Sequence, residues 1–322
     1  MKHQKKYNII CIGQLIQDIL VVNIPEDALT RYSTLADELI LSSGGDAANE
    51  CCTIARLGSE VTLYAKVEKG PAGDSLISNM RSEGIDPRFI LQADDCTTPT
   101  AIVVIKPDGE HSFIIKEGKN YGLLPEDVDL DVIRSARAIT AGSLYSLGNL
   151  DKGGIITIFQ EAQKADVLTF ADMDHDNYSL GNKIFEDLYP HIDYLIPSVD
   201  EAVYVTGISE SPEKMAEYFL DRGVKNVLIK LGAKGSYFRN REKSFYTEPY
   251  EVTPKDTTGC GDCFTGGFVH RIMSGDSLED AVLFATACGG MNSLGYGGHL
   301  YIQSEAQVRE FMASTPRRSV EY

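Results

Sequence analysis

Short apolar runs alternate with helical stretches along most of this chain: Ile9-Ile10-Cys11-Ile12, Val61 to Val67, Ala138 to Ala141, Val167 to Ala171, Tyr194 to Pro197 and Val227 to Leu231. Alternation of this kind is that of a parallel sheet covered by helices on both faces, so the expected class is α/β. Additional β-rich pieces near residues 14–24, 37–43 and 98–118 do not fit the alternation and suit a small separate sheet, with a hairpin turn at Pro107-Asp108-Gly109. No internal repeat, low-complexity run or clear linker divides the chain, and residues 1–322 are expected to form one domain.

One stretch carries chemistry. Asp256-Thr257-Thr258-Gly259-Cys260-Gly261-Asp262 runs into Phe264, Phe268 and Ile272, the apolar face of a helix. The glycines permit a tight turn that delivers Asp262 to the helix N-terminus, where free N–H groups and the helix dipole favour an anion. Amide donors beside a carboxylate base suit phosphoryl transfer. Two other phosphate loops fail here. A dinucleotide fingerprint needs glycine at position 264, which is Phe264. The Gly118-Lys119 pair continues with Asn120 and has Phe113 where a Walker loop has its first glycine. A plain helix start with a capping acid is the competing reading of the stretch.

The net charge of −17 argues against nonspecific binding to nucleic acid or anionic membranes, though not against an anionic nucleotide met by local amides and metal ions. No apolar run approaches the length of a membrane span. The basic start Met1 to Lys6 imitates a signal peptide, but Gln14, Gln17 and Asp18 interrupt the apolar region, so a cytoplasmic location is expected. Seven cysteines, with Cys51 and Cys52 adjacent, are not a secreted disulfide framework. Cys260 and Cys263 form a C-x-x-C at a helix start, where a thiolate pKa could be lowered; small-residue packing ranks above zinc or redox chemistry there, with Cys260 left as oxidation-sensitive.

Asp18 lies between two apolar runs, as either a solvent-facing edge charge or a ligand contact at a strand end. Gly44 and Gly45 precede a helix carrying Ala48, Cys52 and Ala55 on one face and closed by Leu57-Gly58. Paired glycines there would let a ligand approach the backbone closely. Gly73-Asp74 is expected to open another amphipathic helix.

Taken together and in order, these pieces resemble the ribokinase-like (PfkB) family of carbohydrate kinases. Gly44-Gly45 with Asn49 resembles its first signature, and Asp256 to Asp262 its second, with Cys260 in an alanine place. Gly118-Lys119-Asn120, Glu201 before Thr206-Gly207, and Leu231 to Gly235 lie between them, so the resemblance runs from about Gly13 to Gly298. It implies a three-layer αβα sandwich with a mainly parallel central sheet and a small β-sheet lid. Asp262 then takes the place of the catalytic base, with the amides of Gly259, Cys260 and Gly261 as the anion hole. Asp18, Gly44, Gly45, Asn49 and Asn120 fall where family members hold the sugar. Ser198, Glu201, Lys230, Gly232 and Gly235 fall on the nucleotide side, and the stretch from Ala285 to Gly298, including Asn292, should border adenine. Asp256 and the Thr258 carbonyl resemble a monovalent-cation site of some members. Mg²⁺ would arrive on the phosphates of ATP, with Glu201 reaching it through water. K⁺ dependence and a homodimer through the lid are features of some members.

The departures are specific. Ser198-Val199-Asp200-Glu201 replaces Asn-x-x-Glu, an altered site that can still hydrogen-bond. Lys230 stands in a common threonine place and would pair a phosphate or, the favoured reading, form a salt bridge at a strand end. Asp46 replaces a lysine, which argues against a phosphorylated sugar. Asp172-Met173-Asp174-His175-Asp176 reads as a solvated loop rather than a metal site. The expected activity is ATP-dependent phosphorylation of a primary hydroxyl on a sugar or polyol. The rivals are a nucleoside kinase with Tyr32, Phe113 or Tyr121 stacking on a base, a non-catalytic nucleotide- or sugar-binding regulator, and a redox enzyme built on the C-x-x-C.

Overall fold

Strand β1 (Tyr7–Ile12) shows how the apolar runs become a doubly covered sheet: Ile9 and Cys11 enter one apolar cluster and Ile10 and Ile12 another, all four fully buried. Burying each isoleucine on one face or the other is worth roughly 1.5–3 kcal/mol, which fixes the strand between two helical layers. The same alternation recurs in the last parallel strand, where Val227 and Ile229 face one side and Leu228 the other.

The computed structural model describes residues 5–106 and 111–321. After β1 come β2 (Ile16–Val22), β3 (Glu38–Gly44), α1 (Asp46–Arg56), β4 (Val61–Glu68), α2 (Pro71–Ser82), β5 (Ile90–Ala93), β6 (Thr100–Ile105) and β7 (His111–Lys116). Then follow α3 (Leu130–Arg134), β8 (Ala136–Leu144), α4 (Gly154–Lys164), β9 (Leu168–Met173), β10 (Tyr194–Ile196), α5 (Val199–Thr206) and α6 (Pro212–Asp221). The chain closes with β11 (Asn226–Lys230), β12 (Ser236–Asn240), β13 (Ser244–Thr247), α7 (Cys260–Ser274), α8 (Leu278–Asn292) and α9 (Glu305–Ser314).

The central sheet has the order β13-β12-β11-β10-β9-β8-β1-β4-β5. It is parallel from β5 to β11, and only β12 and β13 pair antiparallel at one edge. Residues of α3 to α6 cover one face, and residues of α1, α2, α7 and α8 the other. The β-rich pieces left over from the alternation form a second sheet of order β3-β2-β6-β7. Its inner face carries Leu20, Val22, Val103 and Ile105, packed against Tyr296. Its outer face leaves Leu39, Leu41 and Ile114 exposed, while Phe113 and Ile115, paired with Val103 and Ala101, are exposed on the inner side.

Two expectations shift. The helix expected to open at Gly73-Asp74 begins with Pro71, whose missing N–H is no loss in a first turn. The turn expected at Pro107-Asp108-Gly109 lies outside the described residues. Among the described residues no helix is long and apolar enough to cross a membrane.

Candidate active site

The parallel strands end on one rim of the sheet, where ligands of open α/β sheets bind. There a cleft of about 810 Å³ is lined by Ser143 from the end of β8, Asp172 to Asp174 from β9, Ser198 to Glu201 after β10, and Lys230 to Ala233 after β11. Asp46 of α1 and Cys260, Gly261 and Asp262 of α7 complete this wall.

Asp262 sits in the first turn of α7. Gly259 caps that helix with a left-handed φ of 68°, and a Cβ there would fall 1.9 Å from the Gly298 carbonyl, so both backbone shape and space demand glycine. The Cys263 N–H closes the first helical bond, onto the Gly259 carbonyl at 2.9 Å, and the Cys260 N–H leans on the Thr257 carbonyl at 3.3 Å. The Gly259 and Gly261 amides precede that closed turn, in the stretch a helix leaves without acceptors. One Asp262 oxygen accepts the Asn49 side-chain N–H at 2.7 Å. Burial, then the neighbouring Asp46, pushes the Asp262 pKa well above the usual carboxylate range, against the Asn49 hydrogen bond.

Asn49, assigned from sequence to the sugar, thus spends its amide nitrogen on the base. Its oxygen lies 2.8 Å from Nδ1 of His299, a residue only 1% exposed that sequence reading did not single out. Burial and the nearby Arg56 push the His299 pKa down to about 4, so the ring is neutral and its Nδ1–H donates to Asn49. His299, Asn49 and Asp262 form a buried chain that orients the carboxylate.

Lys230 reaches across β10 to Asp172, with Nζ 2.7 and 2.6 Å from the two carboxylate oxygens. The salt-bridge reading holds, but the pair lies inside the cleft rather than at an exposed strand end. Asp172 is 1% exposed and also accepts the Thr265 hydroxyl at 2.7 Å. Asp174 accepts from the Ser146 hydroxyl and the His175 N–H. The expectation of a solvated loop over Asp172 to Asp176 is therefore corrected at Asp172 and Asp174: these carboxylates end a buried strand and face the cleft.

The altered Ser198 forms a reciprocal capping box at the start of α5, its hydroxyl accepting the Glu201 N–H at 3.3 Å while Glu201 accepts the Ser198 N–H at 2.6 Å. Serine and asparagine are equally good caps, so the substitution keeps the helix end pointed at the cleft. Burial pushes the Glu201 pKa up, against the pull of Lys230.

Toward the lid, carboxylates crowd together. Asp18 lies on β2 in phase with Leu20 and Val22 and is 5% exposed, which rules out a solvent-facing edge charge. Burial, with Asp46 and Asp256 nearby, pushes its pKa to about 7. A Cβ on Gly44 would fall 1.9 Å from the Asp18 carboxylate, so that glycine makes room for Asp18 rather than for a ligand. Gly45 caps α1 with a φ of 93°. Asp46 follows it and is pushed up by burial and by Asp174, with the Ser143 hydroxyl bonded to it.

Other sequence candidates sit elsewhere. Asp256 is consumed by its own loop, accepting the Thr258 N–H and hydroxyl at 2.9 and 2.7 Å and the Gly297 N–H at 2.9 Å. His111 of the lid comes within 3.8 Å of the same carboxylate. Asn292 does not face the cleft: it is fully buried and donates to the carbonyls of Thr258, Gly297 and Gly298, holding the motif from behind. From the expected adenine-side stretch, Thr286, Gly289, Gly290 and Ser293 line the cleft instead. Gly232 and Gly235 lie in the turn between β11 and β12, beside Arg318, whose guanidinium donates to the Ala233 carbonyl at 2.6 Å. Asn120 is exposed and donates to Asp95. Tyr32 and Phe113 are exposed, and Tyr121 meets Tyr178 at 3.0 Å; none of the three lines the cleft. The Cys260 thiol is not activated: burial pushes its pKa to about 12. All seven cysteines are free.

Comparison with known proteins gives the same picture from outside. The model of the pfkB family of carbohydrate kinases matches residues 6–300. The chain is 28% identical to the ribokinase of Staphylococcus aureus, over 83% of this chain and 87% of that one. It is 24% identical to a probable fructokinase of Arabidopsis thaliana, over 87% and 90%. The structure of a putative ribokinase II from E. coli in complex with ATP and Mg²⁺ superposes with a TM-score of 0.81 at 21% identity, over 95% of this chain and 99% of that one.

Proposed function

The chain belongs to the pfkB family of carbohydrate kinases, phosphotransferases with an alcohol group as acceptor, and from that premise we propose that it transfers the γ-phosphoryl group of ATP to a primary hydroxyl of a free sugar or sugar-like polyol. The observation that carries this reading is the buried Asp262 carboxylate, oriented by Asn49 beside the N-terminal turn of α7. Asp262 removes the hydroxyl proton, the hydroxyl oxygen attacks the γ-phosphorus in line, and the Gly259 to Gly261 amides take up the developing charge. The raised pKa of Asp262 makes it a better proton acceptor near neutral pH than an ordinary aspartate.

The nucleotide end fits a polyphosphate held by the turn at Gly232 to Gly235 and by the start of α5. Glu201 lines the cleft with one oxygen engaged by the Ser198 N–H, a carboxylate suited to Mg²⁺ held mainly by ATP. When bound, the metal would neutralise phosphate charge. The Asp256 carboxylate and Thr258 carbonyl already accept protein hydrogen bonds, so K⁺ would have to share them. At the other end Asp46 disfavours a phosphorylated acceptor by like charge, which leaves an uncharged or cationic one. The exposed apolar outer face of the lid supports pairing of two copies, and seven free cysteines suit a reducing compartment such as the cytoplasm.

The test is a coupled ADP-release assay with ATP, Mg²⁺ and K⁺ over free hexoses, pentoses, sugar acids, inositols and nucleosides, beside Asp262→Asn. A hit lost in the variant supports the kinase and names its acceptor class. A silent panel with measurable ATP binding would replace it with a binding regulator.

A further inference from the structure

Gly261 has an ordinary helical φ, so backbone shape does not ask for glycine there. A Cβ on it would lie 3.3 Å from the Lys230 ammonium, with the lysine stem next, so any larger residue would push the ammonium back by a few tenths of an ångström. The ammonium therefore rests against the same turn whose amides form the proposed anion hole. It is tightly built in. The Lys230 N–H bonds to the Pro197 carbonyl at 2.9 Å, its side chain is 14% exposed, and Asp172 holds Nζ with both oxygens. Asp172 in turn accepts the Met173 N–H at 2.7 Å and the Thr265 hydroxyl at 2.7 Å, so its acceptor sites are filled. Two of the three ammonium hydrogens go to Asp172 and one remains.

The surroundings give that remaining hydrogen a use. Asp46, Asp172, Asp174, Asp200, Glu201 and Asp262 line the cleft, and a phosphate entering among them meets repulsion. The lining cations are Lys230, at the turn, and Arg318, beside the Gly232 to Gly235 turn. Burial opposes a charged lysine, but Asp172 and Glu201, with Asp262 behind them, outweigh it and hold the group as ammonium.

We propose that Lys230 is a catalytic residue of this kinase, donating its third N–H to the migrating phosphoryl group, with Asp172 and Thr265 as positioning residues. The proposal rests on the kinase reading above. In the transfer, the bond from the acceptor oxygen to the γ-phosphorus forms as the bond from that phosphorus to the β,γ-bridging oxygen breaks. The electron pair leaves with ADP, the hydroxyl proton goes to Asp262, and Lys230 keeps its protons. Glycine at 261 lets the ammonium come closest to the amides of the turn.

Lys230→Met is expected to lower kcat about 100-fold, with KM for the acceptor within about threefold, as for loss of a preorganised donor. Gly261→Ala should also lower kcat, and the double variant should be no slower than Lys230→Met alone, because both remove one interaction. Where Lys230→Met leaves Asp172 buried and unpaired and the protein fails to fold, Lys230→Met with Asp172→Leu replaces the ion pair by apolar groups. A readout independent of any acceptor is calorimetric binding of ADP with Mg²⁺, with and without aluminium fluoride as mimic of the migrating group. The wild type should bind ADP with fluoride at least tenfold tighter than ADP, and the Lys230 variants should lose that gain while keeping their ADP affinity. A folded Lys230→Met that retains the gain, or a wild type that never shows it, overturns the proposal. Silence of the wild type on every acceptor overturns the kinase reading instead.

Discussion

The cleft has two ends made of different material. Under the turn at Gly259 to Gly261 it presents backbone N–H groups and the Lys230 ammonium, all contributed by strand and helix termini. Toward the lid it presents the Asp46 carboxylate, with Asp18 buried nearby, both pushed up in pKa by burial and by their neighbours. The first end suits a polyanion and needs only the geometry of helix starts. The second suits hydroxyl groups, which need acceptors in a dry site, and it is assembled from Asp46 of α1 and Asp174 just after β9, with Asp18 of β2 buried nearby. Asp262 stands where the two meet, and through Asn49 it is tied to the lid-side helix α1. Changes at the phosphate end should therefore act on turnover, and changes at the lid end on acceptor binding and stability.

The largest effect expected is at the junction. Asp262→Asn should lower kcat about 10³-fold or more, the range for loss of a general base. ATP affinity measured by calorimetry should change less than about threefold, because the donors at the phosphate end remain in place. A variant that loses ATP binding instead would mean that Asp262 organises the phosphate end itself, and the division between the two ends would not stand.

A smaller effect sharpens the same division. His299→Leu removes the donor that fixes the Asn49 amide, so the Asn49 oxygen is free to turn toward Asp262. A fall in kcat of about tenfold is expected, short of the loss on removing the base itself. The sign of its pH dependence is also set. The Asn49 hydrogen bond lowers the Asp262 pKa, and the base must be ionised to act. Losing that bond raises the pKa, so the acid limb of kcat/KM should move to higher pH in His299→Leu. An unmoved limb would mean that Asn49 holds its orientation without His299.

The contrast between the ends also explains what the sequence discloses. The phosphate-end turn is local: glycines, acid and helix periodicity all lie between Asp256 and Ile272, and the parallel sheet and the lid strands follow from equally local patterns. The lid end and its supports are not local. His299 meets Asn49 across 250 residues, and Lys230 meets Asp172 only because β10 alone separates β9 from β11. Asn292 follows the motif in the stretch expected to border adenine, but its amide is turned to three carbonyls behind the turn. Cys260 shows the opposite case. A helix start can lower a thiol pKa, but desolvation, invisible in the sequence, dominates here, in keeping with the packing role ranked first for it. The capping role of Ser198 was legible, since S-x-x-E before an apolar helix is a start signal in its own right.

The smallest effect tests whether the lid end is held in a strained state. The Asp18 carboxyl has an ordinary pKa of 3.8 and a folded one of about 7, so between those values the folded protein binds the extra proton. Stability then falls as pH rises from about 4 to about 7 and is flat above that. Asp18→Asn has nearly the same shape, fits beside Gly44, and removes the ionisation. Its thermal midpoint should match the wild type near pH 4 and exceed it by about 2–4 °C at pH 8, while KM for the acceptor rises about tenfold. Gain of stability with loss of binding is the behaviour of a carboxylate buried for its ligand rather than for the fold. If the variant is no more stable at pH 8, Asp18 finds compensation within the lid, and the two ends differ in composition but not in strain.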